Sequence, residues 1–297
     1  MTSHGADVLA LRIPAGFPIM NASSIPRLEE QSLGATIPKI LLQTYSTDAL
    51  PDALARNVAE LREMNPHWEY RFFDDRAIED FIRAEYGLTI LRDYLRIDPI
   101  YGAARADLFR YLAIYRHGGV YLDIKSRFRR PIDEVLRGDE SYVVSQWSNG
   151  PGERYAGFGL KPEVSEIEGG EFQQWHVIAA PGHPFLRAVL EAVLAGIAQY
   201  RPWVHGTGKA GVLRLTGPLL YTLTIAPMLG HYPCKIIRRE SDLGLEYSVV
   251  TGDMHRGLFK AHYSQHERPI VPLPIHLMPI GLMHQSYRSL KRGLRRN

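Results

Sequence analysis

Between residues 37 and 87 the hydrophobic period of this chain switches three times, and few folds accommodate that. "IPKILLQTY" (37–45) is a continuous apolar run of strand length. "PDALARNVAELREMN" (51–65) sets proline at the start of a helical pattern, where its missing N–H removes no helix bond. "WEYRFF" (68–73) alternates like a second strand, and "DDRAIEDFIRAEYG" (74–87) opens on acidic capping residues and reaches Gly87, a helix stop. Strand, helix, strand, helix in so short a stretch predicts an α/β fold with a mainly parallel central sheet.

The next unit holds the chemistry. "YGAARADLFRYLAIYRHGG" carries Leu108, Tyr111, Leu112 and Tyr115 at i, i+3, i+4, i+7, an amphipathic helix that Gly118 and Gly119 end before the strand "VYLDI". From Asp107 to His117 the helix advances roughly 15 Å. The strand from Gly119 to Asp123 travels back about 13 Å. Asp123 therefore returns to the level of Asp107 at the carboxyl end of a strand, where open α/β sheets bind ligands. Arg110 lies one turn from Asp107, so two carboxylates and a guanidinium converge. Taken alone, an Asp–Arg pair at i, i+3 is usually an exposed ion pair worth a few tenths of a kcal/mol.

Beyond residue 140 the pattern is less regular. Residues 141–147 and 175–180 read as strands, 183–200 as a helix, and 211–225 as a helix interrupted at Gly217-Pro218; 232–239 and 257–263 are late strands. No linker divides the chain, so we expect a loose lead-in over 1–36, one domain over 37–280, and a basic tail over 281–297. In that tail Met283, Tyr287, Leu290 and Leu294 form a helical stripe among Arg288, Lys291, Arg292, Arg295 and Arg296, which suits either an anionic membrane surface or a solvated end.

Composition removes several alternatives. A net charge of +3 does not favour nucleic-acid binding, and the single cysteine, Cys234, excludes an internal disulfide and a Cys-rich zinc site. The longest uncharged run (215–230) is too short to span a bilayer, and the N-terminus lacks a basic-then-apolar leader, so the expected location is cytoplasmic, peripheral if the tail meets a membrane. No HExxH, G-x-S-x-G or P-loop pattern is present.

"IPKILLQTY", "FFDD", "AARADLFRYLAIYRHGGVYLDI", "APGHPFL" and "LTGP" occur in the order found in glycosyltransferases with the DXD sugar-binding region, which this chain resembles from about residue 37 to 218. That group includes initiating α-1,6-mannosyltransferases and, more distantly, the glucosylating clostridial toxins. The resemblance implies a GT-A-like domain that moves a hexose from a nucleotide-sugar donor to a glycan or lipid-linked acceptor with retained configuration, as in surface polysaccharide synthesis. It implies that Tyr45 lies under the base with Gln43 and Thr44 beside it, and that Asp107, Arg110 and Tyr121 hold the donor. Asp123 then contacts the ribose and the metal-bound diphosphate, and Asp123 with His262 ligates manganese or magnesium.

One residue breaks the pattern: where the second acid of the Asp-x-Asp pair belongs stands Lys125. A protonated lysine cannot ligate a metal, yet as a point charge it can neutralise a departing diphosphate. Strand alternation would set Lys125 on the face of Asp123. Three readings stay open: Lys125 takes over part or all of the metal's work, it turns outward while Asp123 and His262 hold a metal, or the site is a degenerate nucleotide-sugar or glycan-binding module. A glycoside hydrolase needs two carboxylates about 5–9.5 Å apart, and the neighbouring cations suit a diphosphate better.

Overall fold

The computed structural model describes residues 28–250, 266–281, 283 and 286. Its first half follows the period switches. Strand β1 (Ile40–Thr44) leads through helix α1 (Asp52–Met64) to β2 (Glu69–Phe73), and helix α2 (Asp75–Leu95) and helix α3 (Gly102–His117) lead on to β3 (Gly119–Leu122). Pro51 is the N-cap of α1, one position outside the helix. Asp74 caps α2 by accepting from the Ala77 N–H at 2.7 Å. Gly87, at φ 74°, breaks the helical path within α2, and a second helical stretch resumes directly after it; the sequence shows the break and hides the resumption.

A small β4 (Arg127–Phe128) and helix α4 (Ile132–Val135) precede β5 (Tyr142–Ser145) and β6 (His176–Ala179). Helices α5 (Pro184–Ala198), α6 (Pro202–His205), α7 (Gly208–Leu215) and α8 (Pro218–Ile225) follow, then β7 (Lys235–Ile237) and β8 (Leu245–Glu246). The break between α7 and α8 falls at Gly217, as the Gly-Pro pair predicts. The strand expected at 257–263 lies outside the described residues, as does His262.

The main sheet has the order β2-β1-β3-β6-β5-β7, and β4 pairs with β8 in a separate ribbon. Five of the six strands point one way and β6 alone runs against them, so the sheet is mostly parallel. From β1 the chain winds outward to β2, then crosses to the other side of β1 to place β3. The carboxyl ends of β1 and β3 thus flank the point where the winding direction reverses, the ligand-binding crevice of doubly wound sheets.

Side-chain alternation assigns the two faces. Leu42, Tyr121 and Val177 pack against α2, α3, α5 and α8 in the larger core, while Leu41, Val120, Leu122 and Ile178 pack against Leu61, Phe128 and Ile132 on the opposite face. The reversal from α3 into β3 is tight: a Cβ on Gly119, at φ 102°, would sit 2.4 Å from the Ile40 carbonyl oxygen, so only glycine fits.

Residues 28–34 correct the expected lead-in. Leu28 is buried, the Gln31 N–H donates to the Tyr115 hydroxyl at 3.2 Å, and the Gly34 N–H donates to the Pro181 carbonyl at 2.8 Å. Fixed structure therefore begins upstream of residue 37.

Candidate functional site

The returning strand places Asp123 against the first turns of α3, as the length argument requires. Arg110 Nη2 lies 2.9 Å from Asp123 Oδ1 and 3.3 Å from Asp107 Oδ1, so one guanidinium nitrogen is shared between the two carboxylates. The pair is no exposed helix bridge: the side chains of Arg110 and Asp107 are 5% and 4% exposed, and that of Asp123 24%. Arg110 also lies over the Tyr121 ring, 4.8 Å from its centroid.

A buried frame holds this trio. Arg110 Nη1 donates to the side-chain oxygen of Gln174 at 2.7 Å and to its backbone carbonyl. Gln174 Nε2 donates to Asp107 Oδ1 at 3.0 Å, and Thr216 Oγ1 donates to Asp107 Oδ2 at 2.8 Å. The Tyr111 hydroxyl donates to the Thr216 carbonyl at 2.9 Å. Burial lifts the Asp107 carboxyl to about 6, with Arg110, Gln174 and Thr216 offsetting part of the rise. Burial also opposes the charge of Arg110, but Asp123, Tyr121 and Asp107 outweigh it and hold the guanidinium above its ordinary range.

The other sequence candidates sort by depth. Gln43 is fully buried and donates to the Asp123 carbonyl at 3.3 Å, while its own oxygen accepts from the Tyr70 hydroxyl at 3.2 Å. Thr44 donates to the Phe73 carbonyl at 2.7 Å, and Tyr121 is buried with its hydroxyl 3.4 Å from Asp123 Oδ1. These side chains underlie the loop that carries Asp123. Tyr45 is half-buried at the carboxyl edge, packed on the small cluster containing Ile124 and Val250.

Lys125 is not placed by strand alternation. β3 ends at Leu122, and residues 123–126 form a turn closed by the Ser126 N–H donating to the Asp123 carbonyl at 2.8 Å. Asn57 steadies the turn by donating to the carbonyls of Ile124 and Ser126, each at 3.1 Å. The half-buried Lys125 reaches across Tyr247, with Nζ 3.0 Å from the hydroxyl and 4.3 Å from the ring centroid. Tyr247 packs in turn against Trp147 and Trp175, which are buried and edge an aromatic wall with Tyr155.

Among the described residues no group of three or more His, Cys, Asp or Glu is placed to hold a metal ion. Asp123 is the one acid of the expected pair; one of its oxygens is engaged by Arg110, and an ammonium occupies the second acid's position. Within the described residues Asp123 alone remains of the expected ligands; His262 lies outside them.

Three residues around the site were not singled out from the sequence. Gln174 precedes β6, and the antiparallel β3–β6 register, with Leu122 opposite His176, brings it to Arg110 and Asp107. Tyr247 arrives from a segment 122 residues beyond Lys125. Thr216 did carry a signal, since it is the threonine of "LTGP".

A family model matches the segment that carries the site. Residues 51–142, which include Asp107, Arg110, Asp123 and Lys125, match the family described as glycosyltransferase sugar-binding region containing DXD motif. Inositol phosphoceramide mannosyltransferase 3 of Schizosaccharomyces pombe is 34% identical over 104 residues, 34% of this chain and 28% of that protein. The initiation-specific alpha-1,6-mannosyltransferase of the same yeast is 23% identical over 238 residues, 74% of this chain and 55% of that protein. The solved PaToxG glycosyltransferase structure shares 13% identity over 77% of this chain and 86% of that one, at a TM-score of 0.46. The chain spans between about a quarter and just over half the length of the curated relatives it matches. The family match is confined to residues 51–142, and that segment is similar to the glycosyltransferase sugar-binding region that contains the DXD motif.

Proposed function

We propose that this protein is a retaining hexosyltransferase of GT-A type that uses a nucleotide-sugar donor and draws part of its leaving-group stabilisation from Lys125. One observation carries the reading: a carboxylate fixed by a shared buried guanidinium sits at the switch point of the sheet, with an ammonium two residues along the same turn. Asp107, Arg110 and Asp123 together carry one net negative charge when both acids are ionised, and Lys125 balances it. A diphosphate entering there meets the Lys125 ammonium beside a carboxylate whose charge Arg110 already offsets.

In this reading Asp123 receives the donor's ribose and sugar hydroxyls. Arg110, Asp107 and Gln174 position it, because their polar atoms are already engaged within the protein. The bond from the anomeric carbon to the β-phosphate oxygen breaks while the acceptor oxygen bonds to that carbon on the same face. The acceptor proton passes to the departing diphosphate oxygen, and Lys125 stabilises the negative charge. The names of the relatives support mannose as the hexose and a glycan or an inositol-containing sphingolipid as acceptor.

A second reading, a non-catalytic nucleotide-sugar-binding module, is favoured only by the missing second acid. Nucleotide release from a panel of nucleotide sugars separates the two. Release that survives a chelator and falls by about 100-fold or more in Lys125→Ala supports the proposal, on the scale of removing one transition-state charge donor. Release abolished by chelator and restored by manganese in the wild type overturns the role of Lys125. Donor binding without turnover selects the module.

A further inference from the structure

We propose that the segment running from Ile275 past Met283, with the basic residues that follow it, docks this protein on an anionic lipid surface. Four large apolar side chains stand in solvent here within nine residues: Ile275 is 83% exposed, Met278 50%, Ile280 49% and Met283 73%. Scattered single exposures are ordinary on a soluble protein, but a contiguous group marks an interaction surface. Residues 275–277 form a short 3-10 turn and 278–281 are helical, so the apolar side chains are presented on an ordered stalk.

The stalk is anchored to the body. Ile270 and Val271 are buried in the larger core, the Asp98 N–H donates to the Ile270 carbonyl at 2.8 Å, and the Tyr101 hydroxyl donates to the Arg268 carbonyl at 2.6 Å. Asp98 and Tyr101 immediately precede α3, and Asp107 lies only about 8 Å along that helix from its start. The segment is therefore anchored to the body, through residues 268–271, at the same end of α3 as the candidate site.

Charge decides between lipid and a second copy of the chain. After Glu267 the sequence contains no acid, and Arg288, Lys291, Arg292, Arg295 and Arg296 follow the apolar group. Such a surface repels its own copy and attracts anionic headgroups, while the apolar side chains enter the acyl boundary. A site opening at that end would face membrane-borne substrates, although the docking itself does not depend on transfer activity.

Flotation of the full chain with vesicles tests this, using phosphatidylcholine alone and phosphatidylcholine mixed with phosphatidylglycerol. We expect binding to the mixed vesicles only, weakened about tenfold or more between 0.1 and 0.5 M salt as the Debye length contracts. The triple variant Ile275→Asp, Met278→Asp, Met283→Asp should lose at least tenfold of that binding while keeping the wild-type melting temperature. Arg292→Glu with Arg295→Glu should weaken it independently, which guards against misfolding of the first variant. Equal binding to both vesicle types, no binding to either, or unchanged binding by both variants overturns the proposal. So does a wild-type dimer that the apolar variant dissociates, since the face would then be a self-interface.

Discussion

Arg110 and Lys125 are the two cations of the candidate site, and the structure holds them in opposite ways. Arg110 is buried, bonded to two carboxylates, a glutamine side chain and two carbonyls, and stacked on Tyr121. Lys125 is half-buried on a four-residue turn and lies across the ring of Tyr247. The difference teaches that the site has a frame and a working surface. A change in the frame leaves buried polar groups without their partners and should cost stability, whereas the turn should exchange an acid for an ammonium at little structural cost.

The largest expected effect breaks the frame. Arg110→Ala strands Asp107 and Gln174 without their shared donor and should destabilise the protein by about 3–5 kcal/mol in urea denaturation, as loss of one partner from a buried ion pair does. Arg110→Lys should not restore it, because an ammonium cannot span the fork. A loss below about 1 kcal/mol would mean that the guanidinium is not the hub of the frame. The complementary change tests the working surface: Lys125→Ala should cost about 1 kcal/mol or less of stability, the range of a partly exposed cation–π contact, while turnover drops by the factor proposed above. Lys125→Asp, which restores an Asp-x-Asp pair, should make whatever turnover remains depend on manganese. A large stability loss in either variant would erase the distinction between the cations.

The same division explains what the sequence disclosed. The convergence of Asp107, Arg110 and Asp123 was legible because all three belong to one helix–turn–strand unit whose length is fixed by helical rise and strand rise. The period switches likewise revealed the first three strands. Gln174 and Tyr247 were hidden because they reach the site through strand register and through a segment far along the chain, and neither leaves a local period. Lys125 was visible as an anomaly, but strand alternation does not set its direction, since alternation holds only while a strand lasts and β3 ends one residue before Asp123. The early order at 28–34 was hidden for a similar reason. Its bonds go to Tyr115 and Pro181, far off in sequence.

Asp107 sharpens the comparison through pH. Its carboxyl titrates at about 6 in the fold, against about 3.9 for an unfolded aspartate. The folded state therefore favours the protonated form. The stability from this group is complete below about pH 4 and is lost as pH rises through 6, an excursion of about 3 kcal/mol. Asp107→Asn cannot titrate. The unfolding free energy of the wild type, measured relative to Asp107→Asn, should thus fall between pH 4 and 7 and stay level above. A flat difference would show that the frame tolerates the charge without strain, making it less unlike the working surface than the burial implies.

The smallest effect resolves how that charge is borne at all. Thr216 is fully buried and its hydroxyl is the donor to Asp107 Oδ2, while its backbone carbonyl separately accepts from Tyr111. Thr216→Val keeps the shape and the Tyr111 contact and removes only the hydroxyl. Because a hydrogen bond to an ionised acceptor is worth about 1.5–3 kcal/mol and one to a neutral acceptor about 0.5–1.5, the loss should be greater at pH 8 than at pH 5. The Asp107 titration should also move upward from about 6, since the missing donor was one of the groups holding it down. Equal losses at the two pH values would mean that Arg110 and Gln174 alone carry the anion. The frame would then close through the helix and the edge of β6, with the "LTGP" segment serving only to pack behind it.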